Sequence, residues 1–178
     1  LMDAGNAHNR VITKNGGTYT ITDTATNLSN ANFDKAGSSD DAESVTVEIQ
    51  GNAENLTAID LDASVTNINL NGKSAVVMDA GNANGIVITK NGGSYTISDN
   101  STNLSDGNFD KAGLSEDADS VTVVVAGDNE NLAAIDLDTT VTNINLNGKN
   151  GVAMDAGNAN GIVITANGGT YTISDNST

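Results

Sequence analysis

The sequence predicts an all-β fold: a β-solenoid built from 76-residue tandem repeats with a short helix or loop insert in each repeat. Three observations predict it, namely an internal repeat, a shortage of large core residues and evenly spaced β-branched segments. The hexapeptide MDAGNA begins at Met2, Met78 and Met154, and a fixed period of this kind is typical of repeat architectures. We expect one continuous solenoid with repeats at 2–77 and 78–153 and a partial repeat at 154–178.

The composition is too poor in large apolar residues for each repeat to be a separate globule. Hydrophobic residues make up 37% of the chain and aromatic residues 3%, with no Trp, whereas globular domains are about 45–50% apolar. A 76-residue unit with one Phe and one Tyr cannot easily build its own core. A stack that shares one thin core between neighbouring coils can. The alternative fold is a string of separate small β-sandwich modules.

The second repeat shows the elements in order. A β-branched run at 86–93 closes with an Asn-Gly turn, and 94–98 alternates with Tyr95 and Ile97 on one face. The segment 103–113 does not have a strand pattern; Leu104 and Phe109 would anchor it and Gly113 would end it. We therefore expect a short helix or compact loop there, with an insert over 103–120. Further strands are predicted at 121–125, 134–138, 141–147 and 152–154.

The spacing of these strands sets the size of a coil. Strand starts lie about 9–11 residues apart, which fits two short strands and roughly 20 residues per coil. Coils stack about 4.8 Å apart, so a repeat of three to four coils would rise roughly 15–20 Å. In the alternation at 143–147, Ile144 and Leu146 would point inward. The Asn residues around them would either form hydrogen-bonded ladders between coils or mark turns.

The charge limits the classes of partner. The net charge is −16, from 23 acidic and 7 basic residues. Such a chain repels nucleic acid and anionic lipid, so we expect neither nucleic-acid binding nor membrane insertion, and counter-cations are the favoured small partners. No apolar run approaches the length of a membrane-spanning helix. There is no Cys, so the redox compartment cannot be read from disulfides.

The segments 19–28 (YTITDTATNL) and 95–104 (YTISDNSTNL) resemble the repeat regions of type I-secreted bacterial surface proteins, both S-layer-like and large adhesin-like. The segments 118–125 and 132–136 are similar to the next part of those arrays. The resemblance implies an exported, repetitive, β-rich bacterial surface protein and supplies no catalytic residues. One departure is that Gly92-Gly93 is followed by Ser94-Tyr95, so the β-roll calcium nonapeptide is absent.

Catalysis is not expected. The single His, His8, becomes Asn84 in the second repeat, so the abundant Ser and Thr lack a repeated base. The pairs Asp60/Asp62 and Asp136/Asp138 could act as glycosidase carboxylates, but nothing else in the sequence predicts a cleft. We predict that the protein is not an enzyme.

Calcium is the candidate ligand, because it prefers the hard oxygens that Asp, Asn and carbonyl groups supply. The candidate calcium ligands are Asp60, Asp62, Asp79, Asp136, Asp138 and Asp155. The alternative is that these residues occupy turns and keep the stack soluble. The expected function is a non-catalytic extracellular structural repeat that forms a stalk, filament or surface layer through self-association. The alternative is an adhesin or binding module that recognises a glycan, a surface or ice through a repetitive Thr/Asn face.

Overall fold

The structure of the protein is a computed structural model, and it describes residues 1–13, 15–33, 42–109 and 118–175. These described residues contain three four-residue helices, α1 (Ala4–Ala7), α2 (Ala80–Ala83) and α3 (Ala156–Ala159). Within the same residues one 3-10 turn spans Leu132–Ala134. The strands of the described residues are β1 (Thr20–Asp23), β2 (Ser44–Glu48), β3 (Asn67–Asn69), β4 (Val76–Met78), β5 (Val87–Thr89), β6 (Tyr95–Asp99), β7 (Ser120–Val124), β8 (Asn143–Asn145), β9 (Val152–Met154), β10 (Val163–Thr165) and β11 (Tyr171–Ile173).

The strands form three parallel sheets, and each sheet joins successive coils of the chain. The first sheet has the order β1-β2-β3-β5, the second β10-β8-β7-β6-β4 and the third β11-β9. The chain passes from β3 in the first sheet to β4 in the second, then back to β5 and again to β6. The first and second sheets are therefore two sides of the same coils, and the fold is a β-solenoid of about seven turns.

The sheets also join different repeats. β3 of the first repeat pairs with β5 of the second, Ile68 opposite Ile88. β8 of the second repeat pairs with β10 of the third, Ile144 opposite Ile164. Separate sandwich modules would pair their strands within a unit, so the structure confirms the solenoid and not the alternative.

One repeat occupies about three and a half coils. In the second sheet Met78 lies opposite Ile97, Ile97 opposite Val121, and Thr122 opposite Asn143, which are steps of 19, 24 and 21 residues. The remainder of the 76-residue period is about half a coil, and it carries the chain to the other side. Equivalent residues of successive repeats therefore lie on opposite sides of the solenoid, about 17 Å apart along its axis at about 4.8 Å per coil.

The core runs through all the coils without interruption. Alternate residues of each strand point inward, as in β7, where Val121 and Val123 are buried between half-buried neighbours. The buried apolar residues of the described chain form one cluster, from Ala4 to Met154. Ile144 and Leu146 belong to it, so the predicted inward alternation is confirmed.

Asn residues form hydrogen bonds between coils and also occupy turns, the two roles that the sequence predicted as alternatives. The Asn91 side-chain amide donates to the side-chain oxygen Oδ1 of Asn69 in the coil below at 2.9 Å, and Asn167 donates to Oδ1 of Asn145 in the same way. Asn69 in turn donates to Glu48 one coil further down, at 3.1 Å. The donors Asn91 and Asn167 also have positive φ in Asn-Gly turns, a conformation that Asn tolerates.

The prediction of a strand at 134–138 is wrong. The chain forms the 3-10 turn at Leu132–Ala134 and then only an isolated antiparallel bridge between Leu137 and Ser105. The carbonyl groups of Leu132 and Ile135 accept hydrogen bonds from the Asn158 side chain, so they do not pair with a neighbouring strand.

The predicted insert is partly described. Residues 103–109 form turns, not a helix, and Leu104 and Phe109 are buried as predicted anchors. Residues 110–117, with the predicted stop at Gly113, lie outside the described residues.

Candidate functional site

Two similar polar clefts are the main concave features of the described residues. One lies beside α2 and the other beside α3. The first cleft has a volume of about 650 Å³ and lies between the loop at 57–65 and the N-terminus of α2. The second has a volume of about 630 Å³ and lies between the equivalent loop and α3. The half-coil shift between repeats places the two clefts on opposite sides of the solenoid.

The structure brings the predicted site residues together in these clefts. Asp60, Asp62 and Asp79 line the first cleft. Asp136, Asp138 and Asp155 line the second. The sequence therefore predicted six of the acidic residues of the clefts but not Asp99, which also lines the first cleft. It could not show that the Asp-Leu-Asp pair faces a helix from the next coil.

The helix beside the first cleft begins at an aspartate because its free amide groups need acceptors. Asp79 is the N-cap of α2, and its Oδ1 accepts from the Asn82 backbone N–H at 2.7 Å. The Asp99 Oδ2, one coil further on, accepts from the Ala80 backbone N–H at 3.0 Å. These two carboxylates satisfy amide groups that a helix N-terminus leaves without partners.

A buried asparagine fixes the opposite wall of the cleft. The Asn82 side-chain amide donates to the carbonyl oxygens of Leu56 at 3.0 Å and Ile59 at 2.7 Å, and its oxygen accepts from the Leu61 N–H at 3.3 Å. Asn158 donates to Leu132 and Ile135 in the second cleft at 2.7 and 2.8 Å. Each asparagine therefore ties an irregular loop to the helix of the next coil.

Sequence reasoning assigned no role to Asn82 or Asp99. The Asp79–Asn82 spacing is an N-cap signal that could have revealed the helix. The partner of Asp99 lies in the coil below, 19 residues away, so no local pattern reveals it.

The carboxylates of the first cleft lie close enough to interact electrostatically. Burial raises the pKa of Asp79 above its ordinary value, and the nearby charges of Asp99 and Asp60 raise it further, against hydrogen bonds from the Asn82 and Gly81 N–H groups. The pKa of Asp23, the first-repeat equivalent of Asp99, is shifted in the opposite direction to that of Asp79. Burial raises its pKa, but hydrogen bonds from Asn27, Thr24 and Ala4 outweigh burial and leave the pKa lowered. The cleft is thus anionic and favours cations or hydrogen-bond donors.

The fit of these residues to calcium depends on which oxygens remain for a ligand. Oxygens of Asp79 and Asp99 already accept backbone N–H groups, and Asp62 Oδ1 accepts from the Ser64 N–H at 2.8 Å. Asp60 is exposed at the cleft. Across residues 1–13, 15–33, 42–109 and 118–175, no three His, Cys, Asp or Glu side chains are placed to hold one metal ion. Calcium binding stays a prediction.

The single histidine lies away from both clefts. The His8 ring packs against Phe33 with 6.2 Å between ring centroids, and its Nε2 lies 2.6 Å from the Asn9 amide nitrogen. Within the described part of the chain no helix has the length and apolar character needed to cross a membrane.

Comparison with protein-family models, with curated protein sequences and with solved structures finds no match to this chain.

Proposed function

We propose that this chain is a non-catalytic structural element of an extracellular bacterial surface protein, in which stacked β-coils form a stalk, filament or surface layer. Its length would scale with the number of repeats, because each coil hydrogen-bonds to the next. The acidic, Cys-free composition and the resemblance of segments 19–28 and 95–104 to secreted surface repeats support the location.

One observation carries the proposal: each coil of this protein is buried by the coils next to it, and the strand pairing continues from one repeat to the next. Tyr95 and Ile97 in β6 are 0% exposed, with β7 paired alongside. Their equivalents Tyr171 and Ile173 in β11 are 41% and 51% exposed. β11 pairs only with β9 in the described chain. A unit that depends on its neighbours in this way is suited to continuous arrays.

The side chains that line the anionic clefts are consistent with this structural role. Their Asp and Asn side chains connect loops and helices of neighbouring coils through hydrogen bonds to backbone groups. A role in mechanical continuity requires no reacting group, and we propose no reaction.

The test is a series of chains with one, two or three extra copies of residues 78–153 inserted after Ala153, in frame with the period. Small-angle scattering should give rods that lengthen by about 17 Å per copy at about 4.8 Å per coil. The thermal midpoint should rise with copy number and then level off. Compact particles whose length does not grow with copy number would contradict a structural rod.

A further inference from the structure

The charges of this chain are kept away from the outer faces of its sheets. The net charge is −16, yet the described strands contain only three charged residues, Asp23, Glu48 and Asp99. Asp23 and Asp99 end their strands and accept backbone N–H groups of the neighbouring coil, from Ala4 and Ala80. Glu48 is therefore the one charged side chain on an outer face of the described strands.

The outer face of the second sheet is uncharged and built from small side chains. We define it by the half-buried, outward residues of its three central strands, Thr96, Ser98, Ser120, Thr122, Val124, Asn143 and Asn145. The equivalent of Val124 in the first repeat is Glu48. The second sheet thus has an outer face without charge, whereas the first sheet does not.

These side chains form ordered ladders along the solenoid axis. Ser98 lies opposite Thr122, and Thr122 opposite Asn143. The Asn143 amide donates to Thr142 Oγ1 at 3.1 Å and reaches Thr122 Oγ1 at 3.5 Å. The second sheet continues on both sides of these rows, and its five parallel strands, about 4.8 Å apart, span about 20 Å along the solenoid axis.

From this face we infer that two copies of the chain associate side by side, the outer face of the second sheet of one against the same face of the other. The inference rests on the proposed structural role. A second copy has the same row spacing by construction, so its ladders can interdigitate along the whole contact, as paired sheets do in steric zippers. The same patch on both partners gives a two-fold dimer.

Electrostatics favours this surface over the others for contact between identical chains. Two chains of charge −16 repel each other wherever acidic turns meet, and this repulsion is screened beyond about 8 Å at physiological salt. An uncharged face lets two sheets approach to about 10 Å without placing an outward carboxylate of the described second-sheet strands in the contact. Strands of a few residues at about 3.3 Å per residue, stacked about 4.8 Å apart, give a face much smaller than a standard interface of about 800 Å² per partner. The dimer should therefore be concentration-dependent and strengthen with salt.

The experiment is sedimentation equilibrium of the full 178-residue chain across protein and salt concentration. The test variant is Thr122→Lys, which places a charge in the centre of the outer face. The matched control is Thr46→Lys, since Thr46 is the first-repeat equivalent of Thr122 and is equally half-buried, but lies on the outer face of the first sheet. Thermal melting of each variant checks the fold.

We expect the wild-type chain and Thr46→Lys to dimerise equally, more strongly at higher salt. Thr122→Lys should weaken the dimer at least about ten-fold, because a desolvated ammonium group would be buried in the contact. A monomeric wild-type chain at all concentrations would overturn the inference, as would equal weakening by both variants. Rods that stay single but adsorb to ice or to an insoluble polysaccharide would also overturn it.

A second readout does not depend on the Lys variant folding. The chain has no Cys, so Thr122→Cys introduces a single thiol of similar size on the outer face. Mild oxidation should cross-link Thr122→Cys into dimers and leave Thr46→Cys monomeric, and the reverse pattern would overturn the inference. If rods lengthen with copy number but stay single, the inference fails while the structural proposal stands.

Discussion

Residues 78–99 and 154–175 are two nearly identical sequences in two different environments. They differ only at Lys90/Ala166 and Ser94/Thr170. Both form a capped four-residue helix, in which the Asn82 and Asn158 backbone N–H groups donate to Asp79 Oδ1 and Asp155 Oδ1 at the same distance of 2.7 Å. Yet Tyr95 and Ile97 are fully buried in the core, whereas their equivalents Tyr171 and Ile173 are 41% and 51% exposed.

The comparison shows which level of structure each part of the sequence determines. Helix caps and turns form wherever the residues occur, because their partners lie within a few positions. Burial of Tyr95 and Ile97 needs β7, which lies some 24 residues further along the chain. The repeat therefore encodes local structure by itself, while its packing comes from the neighbouring coil.

The largest difference between the two coils should appear when the same apolar residue is removed from each. Ile97→Ala should lower the free energy of unfolding by about 2–5 kcal/mol, because it leaves a cavity in a closed core. Ile173→Ala should cost about 1 kcal/mol or less, since the side chain is already half exposed. Urea unfolding of both variants measures this, and equal losses would mean that the two coils are packed alike.

A smaller difference in the free energy of unfolding should appear at Asn82, whose side chain forms hydrogen bonds to the coil below. Asn82→Ala removes the partner of two carbonyl groups and one N–H group, and we expect a loss of about 1–3 kcal/mol. Asn6, the equivalent residue in the first repeat, is exposed and its side-chain amide donates to Asp3. Asn6→Ala should therefore change the free energy of unfolding by only about 0.5 kcal/mol or less. Thermal unfolding of the two variants compares them, and a larger loss for Asn6→Ala would contradict the role of Asn82.

The smallest effect concerns the charge of Asp79. Because its folded pKa is raised, ionised Asp79 destabilises the folded state at neutral pH, and this penalty disappears as the pH falls through the raised pKa. Asn is also a good N-cap, so Asp79→Asn should stabilise the protein by about 0.5 kcal/mol at pH 7.

At a pH below the ordinary pKa of aspartate, the Asp79→Asn variant and the wild type should be equally stable. Asp23 supplies the opposite sign: its lowered pKa makes a stabilising contribution that is lost as the pH falls through that value. Unfolding curves recorded between about pH 3 and pH 7 distinguish the two. A destabilised Asp79→Asn chain at pH 7 would contradict the electrostatic repulsion inferred for the cleft.

The sequence predicts the coil but not the details that depend on stacking. The 76-residue period, the short strands and the inward Ile144 and Leu146 follow from repetition and alternation alone. The strand predicted at 134–138 does not form because two acceptor groups of that segment bond elsewhere. The Ile135 carbonyl accepts from Asn158, a residue of the next coil, and the Asp136 carbonyl accepts from the Asp106 N–H. The six aspartates proposed as calcium ligands could be picked out from the sequence. Their arrangement around the clefts could not be predicted, because it depends on how the coils stack.

The sequence also could not predict that each 76-residue repeat ends half a coil past a whole number of coils. Strand spacing predicted three to four coils per repeat, and only the pairing of Met78 with Ile97 and of later strands fixes the number at about three and a half. That fraction places successive repeats on opposite sides, which neither composition nor period reveals.

The most direct measurement of the central claim is amide hydrogen exchange at 171–173 with and without a following coil. The chain is extended after Thr178 by a copy of residues 103–153, which supplies the equivalent of β7. Exchange at 171–173 should slow by at least about ten-fold, since each 1.4 kcal/mol of added protection is a factor of about ten, and approach the rate at 95–97. Unchanged exchange at 171–173 in a folded, extended chain would show that neighbouring coils do not bury each other and would contradict the shared core.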